Sequence, residues 1–118
     1  VLVVDDEPIV RRFVEAALKR EGFTVFTADN GEEALRVSRE YNGTIDLLLS
    51  DVRMPGMSGP QLVKVLLDER PQTRALLMTG KSSGQIPSAL KGLTMRKPFV
   101  PKALLARIQD VLGGRRSE

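Results

Sequence analysis

Ile45-Asp46-Leu47-Leu48-Leu49-Ser50-Asp51 is an almost wholly apolar run that stops on an acid. With so little polar alternation it predicts a strand over Ile45 to Ser50 buried on both faces, the habit of parallel sheets covered by helices. Val1-Leu2-Val3-Val4 repeats the pattern and stops on Asp5-Asp6. Pro8 then sits where a helix can begin, and Ile9, Phe13, Ala17 and Leu18 mark a helical face that ends at Gly22. Phe23 to Ala28 reads as a second strand. Asp29 or Asn30 caps a second helix carrying Ala34, Leu35 and Val37, which stops before Asn42-Gly43.

Beyond the opening run the alternation continues. Ser58 to Arg70 holds a third helix with Leu62, Val65 and Leu66 inward, closed by Pro71. Ala75 to Met78 is a fourth strand and Thr94 to Arg96 a short fifth. Pro101 opens a last helix with Leu104, Leu105, Ile108, Val111 and Leu112, ending at Gly113-Gly114. Strand and helix alternating in this way predict a doubly wound α/β domain of the flavodoxin-like class. Its parallel sheet has the order 2-1-3-4-5, with helices on both faces. One domain is expected over residues 1–114, with a tail at 115–118.

Composition sets the outer limits. The 118 residues are 42% hydrophobic and 28% charged, values of an ordinary globular protein. The chain holds no cysteine and no histidine, which removes disulfides, thiolate metal sites, imidazole bases and any internal phosphohistidine. No apolar run nears the 18 or so residues that span a bilayer, and no charged-then-apolar leader precedes Val1, so a cytoplasmic location without membrane contact is expected. The chain opens in a strand without an initiator methionine, as an excised segment would. The net charge of +3 is spread without aromatic interleaving, so direct nucleic-acid binding is not expected. Arg11-Arg12 and Arg115-Arg116 read as solvated faces, and Met54 and Met57 as packing residues.

Polar residues interrupt the strands at telling places. Asp5 and Asp6 follow the first strand, Asp51 follows the third, Thr79 the fourth and Lys97 the fifth. In a parallel sheet these carboxyl ends share one edge, and the strand order reverses between the first and third strands, where such sheets bind ligands. Two carboxylates about 4 Å apart repel by on the order of 4 kcal/mol at an effective dielectric near 20. A hard, oxygen-seeking cation would offset this, and Mg²⁺ (or Mn²⁺) suits a site that awaits phosphate oxygens. Carboxylates, divalent ion, lysine and hydroxyl together form a phosphoryl-transfer constellation, in which an aspartate can become an acyl phosphate.

Asp5-Asp6-Glu7-Pro8, Asp51 to Gly59, Leu77-Met78-Thr79-Gly80 and Lys97-Pro98-Phe99 resemble, in order and over essentially the whole chain, the signature blocks of response-regulator receiver domains. The resemblance implies that Asp51 is the phosphoacceptor. Asp6 would ligate Mg²⁺ directly, Asp5 through water, and the backbone carbonyl of Arg53 would complete the shell with Asp51. It also implies that Thr79 is the switch hydroxyl, that Lys97 binds the phosphoryl group, and that the Lys97–Pro98 peptide is cis. The implied function is a phosphoacceptor signalling domain, not an enzyme. It would be charged by a sensor histidine kinase or a histidine phosphotransfer protein and would act on a downstream protein. Both a single-domain regulator and the receiver of a hybrid sensor kinase fit, and the Asp51 to Gly59 block and the short fourth crossover resemble the latter somewhat more.

Other functions fit less well. Aspartyl-phosphate phosphatases usually carry a second acid two residues after the nucleophile, where this chain has Arg53. A small-ligand module would need a Gly/Ser/Thr phosphate cradle where this chain has Asp5-Asp6-Glu7-Pro8. A phosphorylation-independent interaction module would not require the acids, Thr79 and Lys97 together.

The family pattern is broken in the fourth crossover. Only residues 80–92 join the fourth and fifth strands, and they include Gly80, Gly84, Pro87 and Gly92. A fourth helix of one or two turns around Pro87 to Lys91 is expected, after a mobile loop over 80–86 that orders on phosphorylation. The family's aromatic switch position, three residues before the lysine, falls on Thr94.

Overall fold

Leu2, Val3 and Val4 are fully buried and form β1 (Leu2–Val4). In the computed structural model, which describes residues 1–80, 93–97 and 99–113, the elements then follow in the expected alternation. They are α1 (Pro8–Arg20), β2 (Phe26–Ala28), α2 (Gly31–Glu40), β3 (Leu47–Asp51), α3 (Gly59–Glu69), β4 (Arg74–Thr79), β5 (Thr94–Arg96) and α4 (Pro101–Gly113). All strand pairs are parallel, in the order β2-β1-β3-β4-β5. The register sets Val4 opposite Ser50, Asp51 opposite Met78 and Thr79 opposite Arg96. Asp5, Asp51, Thr79 and Lys97 are thereby brought to one edge.

Alternation along each strand divides the core. Leu2, Val4, Leu48 and Leu77 face Ala34, Leu35, Leu62, Val63 and Leu66 of α2 and α3. Val3, Leu47, Leu49, Leu76 and Met78 face Val14 and Leu18 of α1 with Leu104 and Ile108 of α4. Each fully buried leucine contributes roughly 1.5–3 kcal/mol, and the two layers hold the sheet from both sides.

Local chemistry fixes the helix ends. Asn30 Oδ1 accepts from the Glu33 amide at 2.8 Å, and Ser58 with Gln61 forms a reciprocal capping box on α3. Helix α1 ends in a Schellman turn: the Phe23 amide donates to Leu18 O at 3.1 Å and the Gly22 amide to Lys19 O at 3.0 Å. Gly22 has φ +91°, a conformation that a side chain would strain.

Three expectations need correction. The inward face of α1 is Val14, Ala17 and Leu18, with Val10 half-buried, whereas Ile9 is 80% and Phe13 40% exposed. The helix carries two overlapping apolar stripes, and Ile9 and Phe13 lie on the one that turns outward. Strand β2 starts at Phe26, not Phe23, because Phe23 is committed to the turn that ends α1. Strand β3 runs Leu47–Asp51 and not Ile45 to Ser50, since Ile45 and Asp46 lie ahead of the ladder to β4 that begins at Leu47. On α3, Val65 packs half-buried on the core as expected, beside the buried Val63. The short fourth helix around Pro87 to Lys91 and the tail at 115–118 lie outside the described residues. Among the described residues no helix is long and apolar enough to cross a membrane.

Candidate functional site

Asp5 leaves β1 fully buried, while its neighbour Asp6 turns into solvent. The division follows from the chain's turn into α1. The Glu7 amide donates to Asp5 Oδ1 at 2.9 Å, fixing the carboxylate inward as the helix begins. Arg11, one turn along, reaches back to donate to the Asp5 carbonyl at 2.7 Å, following the N-terminal lean of helical side chains. Asp51 ends β3 at 8% exposure, and the Val52 amide bonds Met78 O at 3.1 Å to hold that end onto β4. The loop after it returns tightly. The Gly59 amide donates to Val52 O at 2.8 Å, and a Cβ on Gly59 would lie 2.2 Å from the Asp51 carbonyl oxygen.

Lys97 closes the site from β5, its backbone amide donating to Thr79 O at 2.7 Å. Its ammonium lies 3.0 Å from Asp5 Oδ2, 3.3 Å from Asp51 Oδ2 and 3.4 Å from Glu7 Oε1. Thr79 is half-buried, with its hydroxyl 3.5 Å from Met95 O, at the outer limit of a hydrogen bond. Asp5, Asp6 and Asp51 each offer an oxygen within 4.8 Å of the others, an all-oxygen set that fits a hard divalent cation.

The electrostatics match this crowding. Burial, followed by the nearby Asp5 charge, pushes the Asp51 carboxyl above its usual range despite the opposing pull of Lys97. For Lys97 burial is the largest influence and acts downward. The Asp5 hydrogen bond, with the charges of Asp5 and Asp51, outweighs it and holds the ammonium above its ordinary value. The site is therefore short of positive charge even with Lys97 in place.

Asp5, Asp6, Asp51, Thr79 and Lys97 all lie at the edge expected of them. Arg53 is exposed two residues beyond Asp51, and Thr94 is half-buried in β5. Pro98, and with it the expected cis peptide, lies outside the described residues. Met54 is buried, and Met57 packs so closely on Gly31 that a Cβ there would meet it at 2.8 Å, so both are packing residues as expected. Arg11 is not a solvated face, although Arg12 is exposed. Its position one turn after Glu7 was the available signal. The Glu7–Lys97 contact, across 90 residues, carried none.

This geometry is that of a receiver domain of two-component signalling. The family model of the response regulator receiver domain matches residues 1–109, and the chain belongs to that family. The sensor kinase CckA of Brucella abortus (strain 2308) is 34% identical over 95% of this chain and 12% of its own length. The probable transcriptional regulatory protein TcrX of Mycobacterium tuberculosis is also 34% identical, over 95% of this chain and 49% of its own. The chain thus spans half or less of these relatives. Among solved structures, the chemotaxis response regulator CheY4 of Vibrio cholerae is similar at TM-score 0.81 and 33% identity, over 94% of this chain and 96% of that one. The receiver domain from the hybrid histidine kinase CckA is similar at TM-score 0.77 and 35% identity, over 92% and 94%.

Proposed function

We propose that Asp51 accepts a phosphoryl group from a partner's phosphohistidine and that the domain signals by the rearrangement that follows. The observation that carries this is the Asp51 carboxylate at the sheet's switch point, held 3.3 Å from the Lys97 ammonium among two further acids. An Asp51 oxygen attacks phosphorus as the histidine N–P bond breaks. The nitrogen keeps the electron pair and takes a proton from water, leaving an acyl phosphate on Asp51.

Both oxygens of Asp5 are already engaged, one by the Glu7 amide and one by Lys97. That supports Asp6 and Asp51 as direct ligands, with the Arg53 carbonyl, and Asp5 acting through water. Mg²⁺ or Mn²⁺ bound there supplies the positive charge that the acids and a phosphoryl group share. The long Thr79–Met95 bond leaves the hydroxyl little to lose in turning onto the phosphoryl oxygens. With Thr94 at the aromatic position, the change is carried without an aromatic flip.

The donor is a sensor histidine kinase or a histidine phosphotransfer protein in the cytoplasm, and the output is another protein. Ile9, Phe13 and Val100 are exposed apolar side chains, Ile9 two residues after Glu7 and Phe13 with its ring 6.3 Å from that of Phe99, and a donor would rest on them. Incubation with acetyl phosphate and Mg²⁺ is expected to add one phosphoryl group to the wild type and none to Asp51→Asn, read by intact mass. Equal labelling of the variant would show Asp51 not to be the acceptor. No labelling of either protein would favour a phosphorylation-independent interaction module.

A further inference from the structure

An ammonium has three N–H donors, and Lys97 faces three carboxylates: Asp5 at 3.0 Å, Asp51 at 3.3 Å and Glu7 at 3.4 Å. Glu7 belongs to none of the roles assigned above, so its contact calls for a use of its own. This inference rests on Asp51 being phosphorylated. When the phosphoryl group forms, Lys97 must turn a donor toward its oxygens, and one present partner must yield.

The three partners differ in what release involves. Asp5 is fully buried, and a buried carboxylate stripped of its cation is strongly destabilising. Asp51 is the group being modified. The Glu7 side chain is 62% exposed, so water replaces Lys97 around it readily. Its place is also fixed, because its own amide is held by Asp5 Oδ1 at 2.9 Å, which keeps the side chain at the mouth of the crevice.

We infer that Glu7 is a positioning residue: its carboxylate occupies the Lys97 donor that the phosphoryl group takes over. Glu7 holds the ammonium toward the mouth of the site before transfer and competes with the phosphoryl oxygens for it afterwards. Neutralising Glu7 removes the competitor and leaves Lys97 with Asp5 and Asp51.

The test uses Glu7→Gln, a near-isosteric change at an exposed position, with saturating Mg²⁺. Phosphorylation by acetyl phosphate is expected to quicken about two- to fivefold at low ionic strength, the range that an exposed ion pair spans. Affinity for a beryllofluoride mimic should rise by a similar factor, and both gains should shrink at high salt. In a Lys97→Gln background Glu7→Gln is expected to change neither quantity. The inference is overturned if Glu7→Gln phosphorylates no faster than wild type. It is equally overturned if the gain persists without Lys97, since the carboxylate would then act only through its field on the anionic donor. If wild type itself takes no phosphoryl group, the failure lies in the assignment of Asp51 and not in Glu7.

Discussion

Asp51 is held where its own charge is unwelcome. Its carboxyl titrates above the usual value because of burial and then of Asp5, so ionising it destabilises the folded, metal-free protein. The sign follows from the folded-state value lying above the unfolded one. The penalty is fully present above the raised value, and it vanishes as pH falls below the ordinary 3.8. Asp51→Asn in chelator is thus expected to melt a few degrees higher than wild type at pH 7, with the gain fading in acid. A lower Tm at pH 7 would mean that the Lys97 pairing outweighs the repulsion. The same crowding suits the site to a divalent cation, as the proposed function requires. Mg²⁺ should raise the wild-type Tm by binding only the folded site, and should raise that of Asp6→Ala much less. Equal shifts in thermal melts of the two proteins would show that Asp6 holds no metal.

Two elements carry more than their sequences advertise. Helix α1 has a buried seam at Val14, Ala17 and Leu18 and an outward apolar stripe at Ile9 and Phe13. The second stripe begins at Ile9, close in sequence to Asp5 and Asp6, and the proposed function gives it a use as the donor's contact. Ile9→Asp with Phe13→Ala is expected to slow transfer from a phosphorylated histidine protein at least tenfold. Labelling by acetyl phosphate should stay within twofold, and a parallel loss in both assays would point to a damaged site instead. At the opposite end, Arg70 joins α3 to α2. Its guanidinium donates to Ser38 Oγ, Ser38 O, Tyr41 O and Gly43 O at 2.6–2.8 Å, satisfying carbonyls that end α2, and lies 6.0 Å from the Tyr41 ring centroid. Arg70→Met is expected to lower stability by roughly 1–3 kcal/mol in urea unfolding. Phosphorylation of the folded variant should be unaffected, because the residue is remote from the acids.

At the scale of the molecule, what was legible in the sequence was what strand ends dictate. Asp5, Asp51 and Thr79 each follow or end an apolar run and Lys97 follows the short Thr94–Arg96 strand, and a parallel sheet must bring such positions to one edge. That is why the sheet order and the acid cluster could be read without coordinates. The facing of α1 could not, because Ile9-Phe13-Ala17 and Val10-Val14-Ala17 are both apolar stripes and only packing chooses between them. Nor could the threefold pairing of Lys97 or the Arg70 hub, where partners 27 to 92 residues apart meet through tertiary contacts alone. The central claim is that this assembly exists to make an acyl phosphate at one carboxylate. Borohydride reduction of the acetyl phosphate-treated protein converts an aspartyl phosphate to homoserine, and peptide mapping then locates it. Homoserine is expected at position 51 in the wild type and nowhere in Asp51→Asn, whereas homoserine at position 5 or 6, or at 51 without Mg²⁺ to the same extent, would contradict the claim.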